Sequence, residues 1–164
     1  MQKKQFENDN FVLYAPDSLN YIAKDMDIIL NETLKLYKNI FDIDNFRKVQ
    51  INYFDDIEEF RKFIYNLRGE TYSLPDYAKG TFDNGMINAY IESNIKDKYL
   101  YNKRKYNASH ELFHIMYQEL ILDKNNIPRI IWFDEGMAQL FSGESEKELS
   151  NFNNFVKNVI SETK

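Results

Sequence analysis

The sequence predicts an α+β fold in which a small twisted, mostly antiparallel-edged sheet packs on one long helix and is followed by three more helices. Three observations carry that expectation. Apolar residues recur at helical spacing from Leu19 to Phe41, a stretch far longer than a strand. Val49, Ile51 and Tyr53 alternate with Gln50 and Asn52, as in a strand with one buried face. Asp83-Asn84-Gly85 separates two short apolar runs, and these residue types tolerate the positive φ angles of a tight turn. With 164 residues, the chain is expected to form a single domain over positions 1–164.

In chain order, Phe11-Val12-Leu13-Tyr14 reads as a strand buried on both faces and closed by Pro16. Asp17 or Ser18 is placed to cap the long helix, whose apolar face runs through Ile22, Met26, Leu30, Leu34 and Tyr37. After the strand at Val49–Tyr53, Asp56 and Glu59 have capping-box spacing for a second helix that presents Phe60, Phe63, Ile64 and Leu67 and stops at Gly69. Residues 70–77 read as a surface loop. A hairpin with a bulge is expected from Ala78–Phe82 and Met86–Ile91. Lys96–Tyr106 mixes lysines with tyrosines, and in an otherwise acidic chain it reads as a solvated loop. A helix follows from Tyr106 to Leu120 and breaks at Asp123-Lys124-Asn125-Asn126. Pro128 is expected to open the next helix, which runs to about Phe141, with Trp132 anchoring it in the core. Leu149, Phe152, Phe155, Val156, Val159 and Ile160 suggest a last amphipathic helix on the outside of the site.

Composition narrows the partners. A net charge of −5 provides no field for nucleic acid or an anionic membrane, so neither is expected. No apolar run is long enough to span a bilayer, and Met1–Asn10 lacks the apolar core of a signal peptide. A cytoplasmic location is expected for the sequence as given, and a secreted one if an export signal has been removed from it. There is no cysteine, so any metal must be held by histidine and carboxylate. Oligomeric state is not legible.

The chain has only two histidines, and they stand four apart in His110-Glu111-Leu112-Phe113-His114. On a helix this spacing is about 40° of rotation and 6 Å of rise, so both imidazoles can reach one ion. Zinc at a catalytic site takes about three protein ligands and leaves a position for water, so the pair is one ligand short. Glu111 falls beside that water, where a general base belongs; zinc lowers the water's pKa towards about 7, and Glu111 can take the proton. Trp132-Phe133-Asp134-Glu135-Gly136-Met137-Ala138 offers Glu135 as the third ligand from the next helix. Gly136 and Ala138 are small enough for close approach, and Gln139, one turn on, is placed to hydrogen-bond a ligand.

These two stretches together resemble the gluzincins, zinc metallopeptidases whose third ligand is a glutamate on the helix after the motif helix. The resemblance implies a zincin-like fold, one zinc ion held by His110, His114 and Glu135, Glu111 as general base, and a peptide or protein substrate. In thermolysin-like members an edge strand carrying Asn-Ala-aromatic pairs with the substrate, and Asn88-Ala89-Tyr90 stands in the corresponding place. Asn88 and Ala89 are therefore the implied substrate-binding residues. The chain departs from the pattern downstream: residues 136–164 contain no Tyr, His or Arg to stabilise an oxyanion, which points to a small single-lobe member. Two other readings fit the same residues: a zincin-like peptide-binding module that keeps the metal with little turnover, and a repressor-cleaving regulatory metalloprotease.

Overall fold

A computed structural model describes residues 2–69, 74–93 and 95–143, and places them in an α+β arrangement. Five strands, β1 (Lys3–Glu7), β2 (Phe11–Ala15), β3 (Val49–Phe54), β4 (Gly80–Asp83) and β5 (Met86–Tyr90), form one mixed sheet in the order β1-β2-β3-β5-β4. The central pairs β2/β3 and β3/β5 are parallel, while the outer strands β1 and β4 run antiparallel to their neighbours. The antiparallel edges agree with the expectation from sequence. Strand β1 was not foreseen, because a charged Lys-Lys-Gln-Phe-Glu run suits a solvated sheet edge better than it fits an alternating pattern.

Strand β2 has one buried face: Phe11, Leu13 and Ala15 are enclosed, whereas Val12 and Tyr14 are half-buried. The reason lies in the helix layers. Helix α1 (Asn20–Phe41) buries Ile22, Met26, Leu30, Leu34 and Tyr37 in the same core as Phe11, Leu13, Ile51, Tyr53 and Ile87. Helix α2 (Ile57–Arg68) covers the other face only over β3 and β5, where Phe60 and Ile64 pack with Phe54. Each fully buried side chain of this kind stabilises the fold by about 1.5–3 kcal/mol.

Helix α1 starts after a 3-10 turn at Asp17–Leu19 and has no side-chain cap. Asp17 and Ser18 instead bond Lys3 and Asp55, which ties the turn to β1 and to the end of β3. Asp56 does cap α2: its Oδ1 accepts from the backbone N–H of Glu58 at 2.7 Å and of Glu59 at 3.0 Å. The hairpin turn is tighter than expected. Only Asn84 and Gly85 lie outside the ladder, with φ of 46° and 72°, and pairing runs without a bulge from Asp83↔Met86 to Gly80↔Ala89.

The hairpin corrects the substrate-strand expectation. Strand β5 is paired on both sides, by β3 and β4, and Asn88 and Ala89 are fully buried. Asn88 accepts a hydrogen bond from Asn52 Nδ2 at 2.8 Å within the sheet. Neither residue can take a peptide by strand addition, since no β5 edge is open; the open edge belongs to β4.

The basic-aromatic stretch holds a helix, α3 (Lys98–Lys105), in place of the expected loop. Bonds to residues outside the helix fix it: Tyr101 donates to Asp25 on α1 at 2.8 Å, and Arg104 pairs with Glu92 at 3.2 Å. Helix α4 (Asn107–Tyr117) runs on through a π-helical segment, Gln118–Leu122, into the single turn α5 (Asp123–Asn125). Asn126, left-handed at φ 53°, ends it. Helix α6 (Ile131–Ser142) begins three residues after Pro128, following an extended Ile130. Trp132 does not anchor α6 in the core, being 77% exposed; the residue that does is Ala138, fully buried against α4. No helix among the described residues is long and apolar enough to cross a membrane. The amphipathic segment expected at Leu149–Ile160 and residues 70–73 of the expected 70–77 loop lie outside the described residues.

Candidate metal centre

The inner side of α4 is fixed by the core. Ala108, Leu112, Phe113 and Met116 are buried, and Phe113 meets Tyr37 edge to face with ring centroids 5.5 Å apart. Two hydrogen bonds lock the register one residue before the first histidine: Tyr37 donates to Ser109 O and the Thr33 and Ser109 hydroxyls meet, each at 3.0 Å. With those positions turned inward, Asn107, His110, Glu111 and His114 line a cleft of about 510 Å³. Helix α6 packs on α4 and brings Glu135 to the same cleft.

His110, His114 and Glu135 could hold a metal ion. His114 Nε2 lies 3.0 Å from His110 Nε2, His110 Nε2 lies 3.3 Å from Glu135 Oε2, and His114 Nε2 lies 3.5 Å from Glu135 Oε1. Two tetrahedral ligands, each about 2.0–2.1 Å from zinc, are set about 3.3 Å apart. The two imidazole nitrogens are close to that separation and each lies near one oxygen of the Glu135 carboxylate, so the donor set could hold one metal ion.

Behind the ligands stands Asp134, which is 2% exposed. Its Oδ1 accepts from His114 Nδ1 at 2.7 Å, which aims Nε2 at the other two ligands. Arg129 donates to the other Asp134 oxygen and, at 3.2 Å, to Glu135 Oε1, so one guanidinium braces both carboxylates. Burial, the largest influence on His114, pulls its pKa down, but hydrogen bonds to Asp134 and Glu135 and the charge of Glu111 outweigh it and leave the pKa raised. The Glu135 pKa is lowered, first by its bond with His110 and then by that with His114. Phe82 of β4 stacks on the His114 ring with centroids 5.7 Å apart and closes its other side.

Glu111 is buried in the wall of the cleft, directly against Gly80 at the start of β4. A Cβ at position 80 would lie 2.6 Å from Glu111 Oε1, so glycine is what allows the carboxylate to sit there. All four residues expected from the motifs, His110, Glu111, His114 and Glu135, meet in one cleft. Gln139 is exposed and is not among the residues that line it, and Asn88 and Ala89 are buried away from it. Sequence reasoning missed Asp134, Arg129 and Gly80. A glycine opening a strand beside a buried carboxylate was the available signal for Gly80, and an acidic pair at the start of a helix was the one for Asp134.

Compared with protein-family models, curated proteins and solved structures, the chain matches none.

Proposed function

We propose that this chain is a zinc-dependent peptidase of the gluzincin type with a zincin-like fold. The observation that carries the reading is the convergence of two imidazole nitrogens and a carboxylate at metal-ligand spacing, with a second, buried carboxylate, Glu111, lining the same cleft. When bound, zinc would supply Lewis acidity and draw the pKa of water towards about 7. His110, His114 and Glu135 would hold it, with Asp134 keeping His114 in the ligating tautomer. Glu111 would take the proton of the attacking water at its carboxylate and return it to the leaving amine.

The open edge of β4 suits an extended peptide. Tyr90 N bonds Lys79 O and the Asp83–Met86 pair closes the turn, so strand alternation directs the peptide groups of Gly80 and Phe82 outward. A peptide pairing there would pass directly over Glu111 and the ligand set.

The test is a Glu111→Gln variant assayed on a peptide library next to the wild type, with zinc content measured for both. Cleavage by the wild type only, at equal zinc content, is the expected result; equal cleavage by both would sink the mechanism. One observation favours a second reading, a peptide-binding module with little turnover. Arg129, the arginine nearest the ligands, is already committed to Asp134 and Glu135, and residues 136–164 supply no Tyr, His or Arg. Full zinc occupancy and intact peptide affinity without cleavage would establish that alternative.

A further inference from the structure

Among the side chains that line the cleft, cations outnumber carboxylates, the reverse of the chain as a whole. Arg68, Lys79, Lys103, Arg104 and Arg129 line it, against only Glu111 and Glu135, whereas the whole sequence carries −5. Three of the five cations are engaged by carboxylates: Arg68 by Asp83, Arg104 by Glu92, and Arg129 by Asp134 and Glu135. Lys79 and Lys103 form no ion pair among the described residues. Lys79 lies over the Tyr90 ring, 5.3 Å from its centroid, immediately before Gly80, and Lys103 is exposed on α3, one turn before Asn107. Both lysines line the cleft together with Gly80 and Asn107, Lys79 at the start of the open β4 edge on the side of the sheet that carries Tyr90.

We infer that the cleft selects acidic peptides, with Lys79 and Lys103 receiving Asp or Glu side chains that flank the segment lying over Glu111. The inference rests on the reading of the cleft as a peptide site. Its physical basis is local: a cationic rim in a concave wall concentrates field that the acidic remainder of the surface opposes, so selection must come from contacts inside the cleft. Nucleic acid, the other common polyanion, is disfavoured because the chain's net charge repels an extended phosphate backbone beyond the cleft.

The experiment measures binding, so that it does not depend on turnover. Zinc-loaded Glu111→Gln protein is titrated with fluorescent decapeptides in which Asp and Glu positions are retained or replaced by Asn and Gln, at low and physiological salt. Two partly screened carboxylate contacts should make the acidic peptides bind about tenfold tighter at low salt, with the gain shrinking as salt rises. A Lys79→Glu/Lys103→Glu double variant in the same background should lose or invert the preference at unchanged zinc content, and the Lys79→Gln/Lys103→Gln pair should fall between. Equal binding of acidic and amide peptides overturns the inference, as does a preference that survives the double reversal, the absence of any peptide binding, or displacement of bound peptide by equimolar oligothymidylate. If wild type fails to cleave the acidic peptides it binds, the peptidase reading falls and the acidic preference stands. If it cleaves acidic and amide peptides alike, the reverse holds.

Discussion

Replacing Asp134 by Asn tests the support behind the metal ligands without changing side-chain volume. Asp134 is buried, accepts from His114 Nδ1 at 2.7 Å and is held by Arg129. An amide there removes the charge from a buried charge-assisted bond worth about 1.5–3 kcal/mol. It also lets His114 turn its proton towards the ligands, because an amide can offer either an oxygen or an N–H to Nδ1. Since about 1.4 kcal/mol is a factor of ten, the structure predicts zinc affinity about 10- to 150-fold weaker, in the range expected when a buried partner of a ligating histidine is lost. The assay is a competitive zinc titration against a chromophoric chelator at pH 8, with circular dichroism confirming that the variant is folded. A folded Asp134→Asn protein that binds zinc as tightly as the wild type would refute the argument that Asp134 sets the tautomer of His114.

Gly80→Ala should push a methyl group to within 2.6 Å of Glu111 Oε1, displacing the base while leaving the ligands in place; peptide cleavage should fall about 100- to 10,000-fold with zinc content unchanged, measured by rate assay and metal analysis on the same samples. Protons compete with zinc for His114, whose pKa is raised, so the group is ready to ligate only above that raised value. Zinc affinity should therefore be flat at alkaline pH and drop about tenfold per unit once pH falls below it, with chelator titrations across pH 5.5–9 as the check. Stripping the metal should destabilise the fold: at free zinc about 100 times the dissociation constant, bound zinc contributes about 2.7 kcal/mol, or about 5–10 °C in Tm for a domain of this size. A melt that is indifferent to chelator would count against the ligand set.

The parts of the fold that the sequence revealed are those with strong periodicity. Helix α1 shows its buried stripe over 22 residues, and Asp56 sits just before the apolar face it caps. The site was legible for a related reason, since helical spacing converts four residues of separation into one shared face. Features that depend on neighbours distant in sequence were not legible. Which strand lies at an edge follows from strand order, and the hairpin folds β4 outward while its partner β5 enters the sheet, so Asn88-Ala89-Tyr90 read as an edge when it is interior. Trp132 looked like a core anchor because it is large and apolar, but the first turn of α6 faces outward and the small Ala138 makes the close contact with α4. Helix α3 was hidden by its charge, since it is held by Asp25 and Glu92, which come from other elements.

The geometry of the three donors argues for a cation on grounds independent of any motif. Nδ1 of His114 is committed to Asp134, so only Nε2 of each ring and the two Glu135 oxygens meet at the centre, in three contacts of 3.0, 3.3 and 3.5 Å. Each Nε2 carries either a proton or a lone pair. With neither protonated, all three contacts bring lone pairs together. With one protonated, its N–H can serve the other ring or the carboxylate, but the bare nitrogen still faces a carboxylate oxygen. With both protonated, the two carboxylate contacts become favourable and two N–H groups oppose each other at the shortest of the three separations. With Glu135 ionised, as its lowered pKa favours, no arrangement of ring protons satisfies the triangle, whereas one central cation would satisfy every side of it with both rings neutral. The buried Asp134 and its Arg129 brace hold the three donors in place, in an arrangement that could hold a metal ion.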